Sequence, residues 1–410
     1  MRLLHTSDWH LGQTLNHFDR HYEHERFLEW LGDTLEAEQV DALLVAGDLF
    51  DNANPAASCQ RRLFDFLAQT RRRLPALEIV LIAGNHDSAG RLEAPSPLLE
   101  AFGIHVVGQP FRHRDGSLDV GSLVLPLRRG GAVAAWCLAI PFLRPGDVPR
   151  VPDADDAYAA GIAALYQEAL TIALARRQPG QAIVAMGHCH LVGGATSEQS
   201  ERRIVIGGAE AMPASTFGAE VAYAALGHLH LAQAVGHPTR RYSGSPLPLS
   251  FAEINYPHQV VIIDLEGEAV SHLREIRVPR PVPLLRLPAQ PLPLDQVLAA
   301  LVALDLPDAP ELAQPYLEVR VLLDAPEPAL RARIEAALAG KPVRLVRIDS
   351  RRQSSETDPA PDAISLEDLA RISPVEVFER AYRQRFGADS PQALRDALGE
   401  LMLESAEANA

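Results

Sequence analysis

Ala42-Leu43-Leu44-Val45-Ala46-Gly47-Asp48-Leu49-Phe50-Asp51 decides how this chain folds. An apolar run without alternation stops at a glycine, and two carboxylates follow within four residues of it. Such a run reads as a strand buried on both faces. In open α/β sheets, ligand-binding groups gather just past the carboxyl ends of those strands. The same arrangement recurs outward in both directions. Arg2–Thr6 leads into Ser7-Asp8-Trp9-His10, and residues 79–83 lead into Gly84-Asn85-His86-Asp87. Farther on, residues 182–186 lead into Gly187-His188-Cys189-His190, and 222–226 lead into Gly227-His228-Leu229-His230. These strand ends predict an α/β fold that brings its polar clusters to one point.

The clusters supply Asp8, His10, Asp48, Asn85, His188, His228 and His230, a mixed oxygen and imidazole set. Magnesium prefers all-oxygen, water-rich shells, whereas imidazole draws manganese, iron or zinc. The lack of paired cysteines argues against a structural zinc site. Seven ligands exceed the needs of one ion but suit two ions that share Asp48. Two ions about 3.5–4 Å apart are the usual means of hydrolysing phosphate esters. His188 and His190 would point apart, so only one is expected to bind. His188 directly follows its glycine as the other ligands follow theirs, and His190 is expected to be a polar neighbour. His5 reads as core and Cys189 as a small buried filler. His17, His21 and His24 lack a suitably spaced carboxylate and are not expected to bind metal.

The motifs Asp-x-His, Gly-Asp-x-x-Asp, Gly-Asn-His-Asp, Gly-His and Gly-His-x-His together resemble the calcineurin-like metallophosphoesterase superfamily. Gly84-Asn85-His86-Asp87-Ser88-x-x-Arg91-Leu92, Arg241-Tyr242-Ser243-Gly244-Ser245-Pro246 and Ser373-Pro374-x-x-Val377-Phe378 narrow the likeness to its bacterial DNA nuclease subunits that work with an ATPase. That resemblance covers essentially the whole chain. It implies a two-metal DNA phosphodiesterase giving ATP-dependent double-strand exonuclease and single-strand or hairpin endonuclease activity in repair and recombination. Manganese is the expected metal. Asp8, His10, Asp48 and His230 would hold one ion, and Asp48, Asn85, His188 and His228 the other. His86 would stand outside the ligands and stabilise or protonate the phosphate, with Asp87 orienting its ring. Imidazole suits that task because its ordinary pKa lies near neutrality. Archaeal and eukaryotic relatives of this nuclease group carry a histidine where this chain has Asp51. Here Asp51 is expected to hydrogen-bond a ligand histidine.

Composition limits the alternatives. At 410 residues the chain has room for two or three domains. No apolar run is expected to cross a bilayer, and Met1 passes straight into a strand without a secretory signal. The three cysteines, Cys59, Cys137 and Cys189, are scattered. Reduced thiols in a cytoplasm are expected. The net charge of −15 disfavours a stand-alone DNA binder and suits a subunit that borrows affinity from a partner. A rival reading is a calcineurin-like phosphatase acting on a small phosphoester or phosphoprotein. Protein phosphatases of this superfamily follow Gly-Asp-x-x-Asp with Arg-Gly, whereas Asn52-Ala53 follows here. A scaffold that has lost its metals is disfavoured by the full ligand set.

Residues 1–280 read as the phosphoesterase domain. Helices are predicted over 21–38, 56–73 and 155–177, a hairpin over 118–125 and 133–140, and a strand over 259–265. The proline cluster from Pro279 to Pro293 reads as a linker or domain entry. Residues 281–350 form a small α+β cap, with helices at 294–304 and 328–339 and strands at Tyr316–Leu323 and 343–348. A connector and helical tail fill 351–410. In the tail Val377, Phe378, Tyr382 and Phe386 form an apolar stripe, and Leu394, Leu398, Leu401 and Met402 a second. The first stripe fits its own domain or an external partner equally well. The resemblance implies as partner an ATPase with a long coiled coil. It also implies a homodimer within a heterotetramer, through Leu63, Phe66 and Leu67 with Leu98, Leu99 and Phe102, residues that plain core packing would equally explain.

Overall fold

A computed structural model describes residues 1–152, 154, 156–196, 212–325, 327–352, 378, 379, 382, 383, 390–392, 394 and 395. The chain opens with β1 (Arg2–Thr6), a short hairpin β2 (Thr14–Leu15) and β3 (Phe18–Asp19), and α1 (His21–Ala37). There follow β4 (Ala42–Ala46), α2 (Ala57–Arg73), β5 (Glu78–Ile82), α3 (Ala89–Glu93), α4 (Ser96–Leu99) and β6 (Ile104–Val107). The next strands are β7 (Val124–Arg129) and β8 (Ala132–Ala139), then α5 (Ala157–Arg176), β9 (Ala182–His188) and β10 (Val221–Gly227). The short β11 (Gln233–Ala234) and β12 (Arg240–Tyr242) precede the long pair β13 (Gln259–Glu266) and β14 (Ala269–Arg277). The cap holds β15 (Leu284–Pro293), α6 (Leu294–Val302), β16 (Tyr316–Leu323), α7 (Leu330–Ala337) and β17 (Arg344–Arg352).

Two six-stranded sheets, ordered β14-β13-β1-β4-β5-β6 and β11-β12-β10-β9-β8-β7, pack face to face. The sequence of β4 explains the layering. Ala42, Leu44 and Ala46 point into the core shared by both sheets. Leu43 and Val45 point the other way, onto Phe27, Leu31, Leu63, Phe66 and Leu67 of α1 and α2. A strand buried on both faces must be apolar at every position, and this one is. Helix α5 covers the second sheet through Ile162, Leu165, Tyr166, Ala169 and Ala173. By length and apolarity α5 could span a bilayer, contrary to the expectation that no run would. Its residues contribute instead to the core of this sheet.

Strands β1, β4, β5 and β6 run parallel, as do β8, β9 and β10. The register sets Gly227 beside His188, so the carboxyl ends of β9 and β10 lie level. The hairpin begins later than its sequence suggests. Val120–Leu123 is a 3-10 turn capped by the Asp119 side chain, and the strand starts at Val124.

Of the two readings of the proline-rich stretch, linker or domain entry, the strand at residues 284–293 excludes the first. Residues 284–293 form β15, the edge strand of the three-stranded cap sheet β15-β16-β17. Proline lacks the N–H a central strand needs, and an edge strand tolerates that loss. The register shifts between Leu287 and Leu292, where Pro288 and Pro291 lie. Residues 1–351 form one compact unit. Leu15 and Phe251 of the body pack with Leu284, Tyr316 and Val346 of the cap. In the tail, the Phe378 and Tyr382 rings lie 6.0 Å apart between centres, tilted by 41°. Val377, Phe386, Leu398, Leu401 and Met402 lie outside the described residues.

Candidate metal centre

Each cluster sits where its strand runs out, and the backbone there is bent hard. Asp8, His10, Asp48 and His228 have φ of 54°, 45°, 50° and 100°, in the left-handed region that side chains avoid. Such conformations gather at functional sites, where surrounding structure holds them. The loops brace one another. Asp8 N donates to the Gly47 carbonyl and His10 N to the Asp48 carbonyl, both at 3.0 Å. Glycines are needed for this crowding, Gly84 against Asp48 among them. A Cβ on Gly47, at φ +88°, would strike the His188 ring, and one on Gly227 would strike the Ala46 carbonyl.

The fold brings all seven predicted ligands together. Ligand atoms of Asp8, His10 and His230 lie within 4.8 Å of one another, as do those of Asp8, Asp48 and His188. Asp48 Oδ2 lies 3.6 Å from His10 Nε2 and 3.4 Å from His188 Nε2, between members of the two expected sets. Asn85 Oδ1 lies 3.0 Å from His188 Nε2 and 3.1 Å from His228 Nδ1. Asp8 accepts from Ser7 Oγ at 2.5 Å and from the backbone N–H of His228 at 3.0 Å. His188 Nδ1 lies 2.9 Å from the Ala46 carbonyl, which can only accept. Its Nε2 is therefore the nitrogen turned toward the carboxylates.

These residues fit divalent ions. Among the described residues, both ring nitrogens of His10 are buried without a hydrogen-bond partner, a costly state for an imidazole unless a metal takes one of them. Buried carboxylates and histidines are pressed together with uneven charge. Although burial opposes its protonation, His188 is pushed up to about 9 by the neighbouring Asp48 and Asp8. Burial works against the Asp48 charge too, yet His188 and His10 hold its carboxyl well below the usual range. His228 is pushed down by burial and then by His188.

His86 is held differently from the expectation. Its Nδ1 lies 2.7 Å from the Asp51 carbonyl, and its backbone N–H donates to Asp48 Oδ1 at 2.8 Å. Asp87 does not supply the orienting bond. Its carboxylate accepts from the backbone N–H groups of Gly84, Phe50 and Leu49 at 2.9, 2.9 and 3.1 Å, tying the third ligand loop to the second. Burial and the nearby Asp48 push Asp87 up to about 6. His86 also has a ring nitrogen within 4.8 Å of His10 and Asp48 ligand atoms, so distance alone does not set it apart from the ligands. Asp51 Oδ1 lies 3.3 Å from His10 Nδ1, close to a ligand ring but without the expected hydrogen bond to it. His190 joins none of these groups among the described residues.

One residue escaped the motif reading. Glu253 is fully buried, and its Oε1 lies 2.9 Å from His230 Nδ1. The only hint was a carboxylate closing the nearly apolar segment Pro246-Leu247-Pro248-Leu249-Ser250-Phe251-Ala252.

Residues 1–232 match the calcineurin-like phosphoesterase family, and residues 280–386 match a family described as the type 5 capsule protein repressor C-terminal domain. The chain belongs to the calcineurin-like phosphoesterases, and its centre is that of a metal-dependent hydrolase. It is 45% identical over 390 residues to the D subunit of nuclease SbcCD from Rhodobacter capsulatus, covering 93% of this chain and 94% of that protein. Identity to the Escherichia coli K12 protein of the same name is 32%, over 93% and 92%. For the Bacillus subtilis protein it is 34% over 291 residues, 70% and 72% of the two chains. Within its family the chain is thus a nuclease subunit of the SbcD type.

Proposed function

We propose that this subunit is a two-metal, manganese-dependent DNA phosphodiesterase working in the cytoplasm with an SbcC-type coiled-coil ATPase. In that assembly it gives ATP-dependent double-strand exonuclease and single-strand or hairpin endonuclease activity in repair and recombination. The observation that carries the two-metal reading is the position of Asp48 Oδ2 between His10 Nε2 and His188 Nε2. Manganese accepts the mixed carboxylate, amide and imidazole set that magnesium disfavours. When bound, the ions neutralise charge on the phosphodiester and activate water.

The chain's own residues do the rest. Asp8, His10, Asp48 and His230 would hold one ion, and Asp48, Asn85, His188 and His228 the other. With its Nδ1 2.7 Å from the Asp51 carbonyl, the His86 ring is oriented to hold or pass a proton at the leaving oxygen. The net charge of −15 explains why a partner is needed to hold and feed the duplex. A homodimer within a heterotetramer completes the assembly. The test is degradation of linear duplex DNA with manganese, with and without the ATPase and ATP, beside a small phosphomonoester. Stimulated duplex degradation with little monoester turnover is expected. Efficient monoester turnover with no DNA cleavage would favour the phosphatase reading.

A further inference from the structure

Glu253 closes a short 3-10 turn, Phe251–Glu253; its N–H donates to the Ser250 carbonyl at 3.2 Å, and its side chain is held from several directions. Its Oε1 meets His230 Nδ1 at 2.9 Å, and its Oε2 accepts from the Leu249 N–H at 2.7 Å. With both oxygens engaged, the carboxylate has little freedom to rotate. The surrounding turn is gripped by three guanidinium groups from three parts of the chain. Arg20, just before α1, donates to the Pro248 carbonyl at 2.7 Å. Arg280, between β14 and β15, donates to the Ile254 carbonyl at 2.9 Å. Arg286, on β15 of the cap, donates to the Phe251 carbonyl at 2.7 Å while its Nε pairs with buried Glu318 on β16. Gln13, three residues past His10, donates to the Leu249 carbonyl at 3.0 Å and accepts from Arg20 at 2.7 Å. Charge-assisted hydrogen bonds of this kind are the strong ones.

We propose that Glu253 is a positioning residue for His230, and that Arg286 makes the metal position served by His230 depend on the seating of the cap. A carboxylate can only accept from Nδ1–H, which fixes the tautomer with the Nε2 lone pair facing the centre and makes that nitrogen a better ligand. The Phe251 carbonyl lies two residues before Glu253. A cap that shifts therefore pulls on the turn that aims the ring, and the ion beside Asp8 and His10 is the one affected. This inference rests on the two-metal reading above.

The experiment is manganese titration of the metal-free full chain, followed by calorimetry and electron paramagnetic resonance. The wild-type chain binds two ions, and fewer would count against the two-metal reading rather than this one. Glu253→Gln, which keeps size and one acceptor, is expected to weaken one position by roughly 10- to 100-fold and spare the other. Arg286→Lys keeps a cation beside Glu318 but drops the Phe251 contact, and it should weaken the same position severalfold. Combined with Glu253→Gln it should add little, since both act through one turn. Wild-type affinity at both positions in Glu253→Gln overturns the role of Glu253, and full additivity in the double variant overturns the route through the cap. Should either variant fold poorly, nitrogen NMR of the zinc-loaded wild-type chain decides. His230 must carry its proton on Nδ1, and a proton on Nε2 sinks the proposal.

Discussion

At the scale of single residues, position relative to Asp48 sorts the candidate site. Its carboxylate lies between His10 and His188, so Asp48→Ala should release both ions, measured as metal content of the purified chain. Retention of two ions would remove its bridging role. His86→Ala should instead keep both ions and lose most cleavage, on the order of 100-fold or more, as expected of a positioned acid or base. Metal content falling in step with activity would make His86 a ligand. A different histidine carries a pH prediction. His5 is wholly buried between Tyr223 Oη at 2.9 Å and the Leu226 carbonyl at 3.2 Å, and burial pushes it down from 6.5 to about 3. The unfolded chain therefore takes up a proton below pH 6.5 that the folded chain refuses until about 3. Stability falls as pH drops through that window. Against a His5→Gln variant, the wild-type Tm should lose ground between about pH 7.5 and about pH 5, and a constant gap between the two would refute it.

At the scale of elements, burial divides one group of apolar residues into two. Leu63, Phe66 and Leu67 of α2 are core, packed on the first sheet with Leu43 and Val45. Leu98 and Phe102, in and just after α4, are 73% and 61% exposed. Leu63→Ala should cost about 2–5 kcal/mol in denaturant unfolding, as large-to-small core changes do. Leu98→Ala should fall within about 0.5 kcal/mol of wild type, since an exposed side chain leaves no cavity. The dimer proposal then rests on Leu98 and Phe102 rather than on α2. Glycine placement matters equally to the strand ends. At Gly47 the positive φ and the His188 ring together exclude a side chain, which is why the turn after β4 can present Asp48 at all.

At the scale of the whole molecule, the cap and the body are one unit through residue 351, and residues 352–410 cluster separately. That division gives the tail its prediction. Phe378 and Tyr382 share a helical face at i, i+4, the spacing used when an amphipathic helix docks in a groove. Both tail stripes, including Val377 and Phe386, are proposed to grip the base of the coiled coil. A chain ending before residue 365 should keep two ions and weak partner-free nuclease activity yet fail to copurify with the ATPase. Copurification of the shortened chain would dismiss the tail as the docking element. Insolubility would mean that these helices complete the chain's own core.

The seven metal-centre candidates were legible because each lies next in the chain to the strand that positions it. An apolar run, a glycine and a ligand are local facts, and parallel pairing of such runs leaves their ends together. For the same reason most helices fell within a residue or two of their expected ends. What escaped depends on neighbours far apart in sequence. Glu253 meets His230 across 23 residues, and Arg286 meets Phe251 across 35. Asp87 serves backbone groups 37 and 38 residues away rather than the ring beside it. The prolines of β15 read as a linker or a domain entry rather than a strand because only the sheet shows which strand lies at its edge. Local pattern determined which residues could bind metal. Tertiary packing decided which carboxylates aim them, because an orienting hydrogen bond needs two groups within about 3 Å and no rule of spacing along the chain sets that distance.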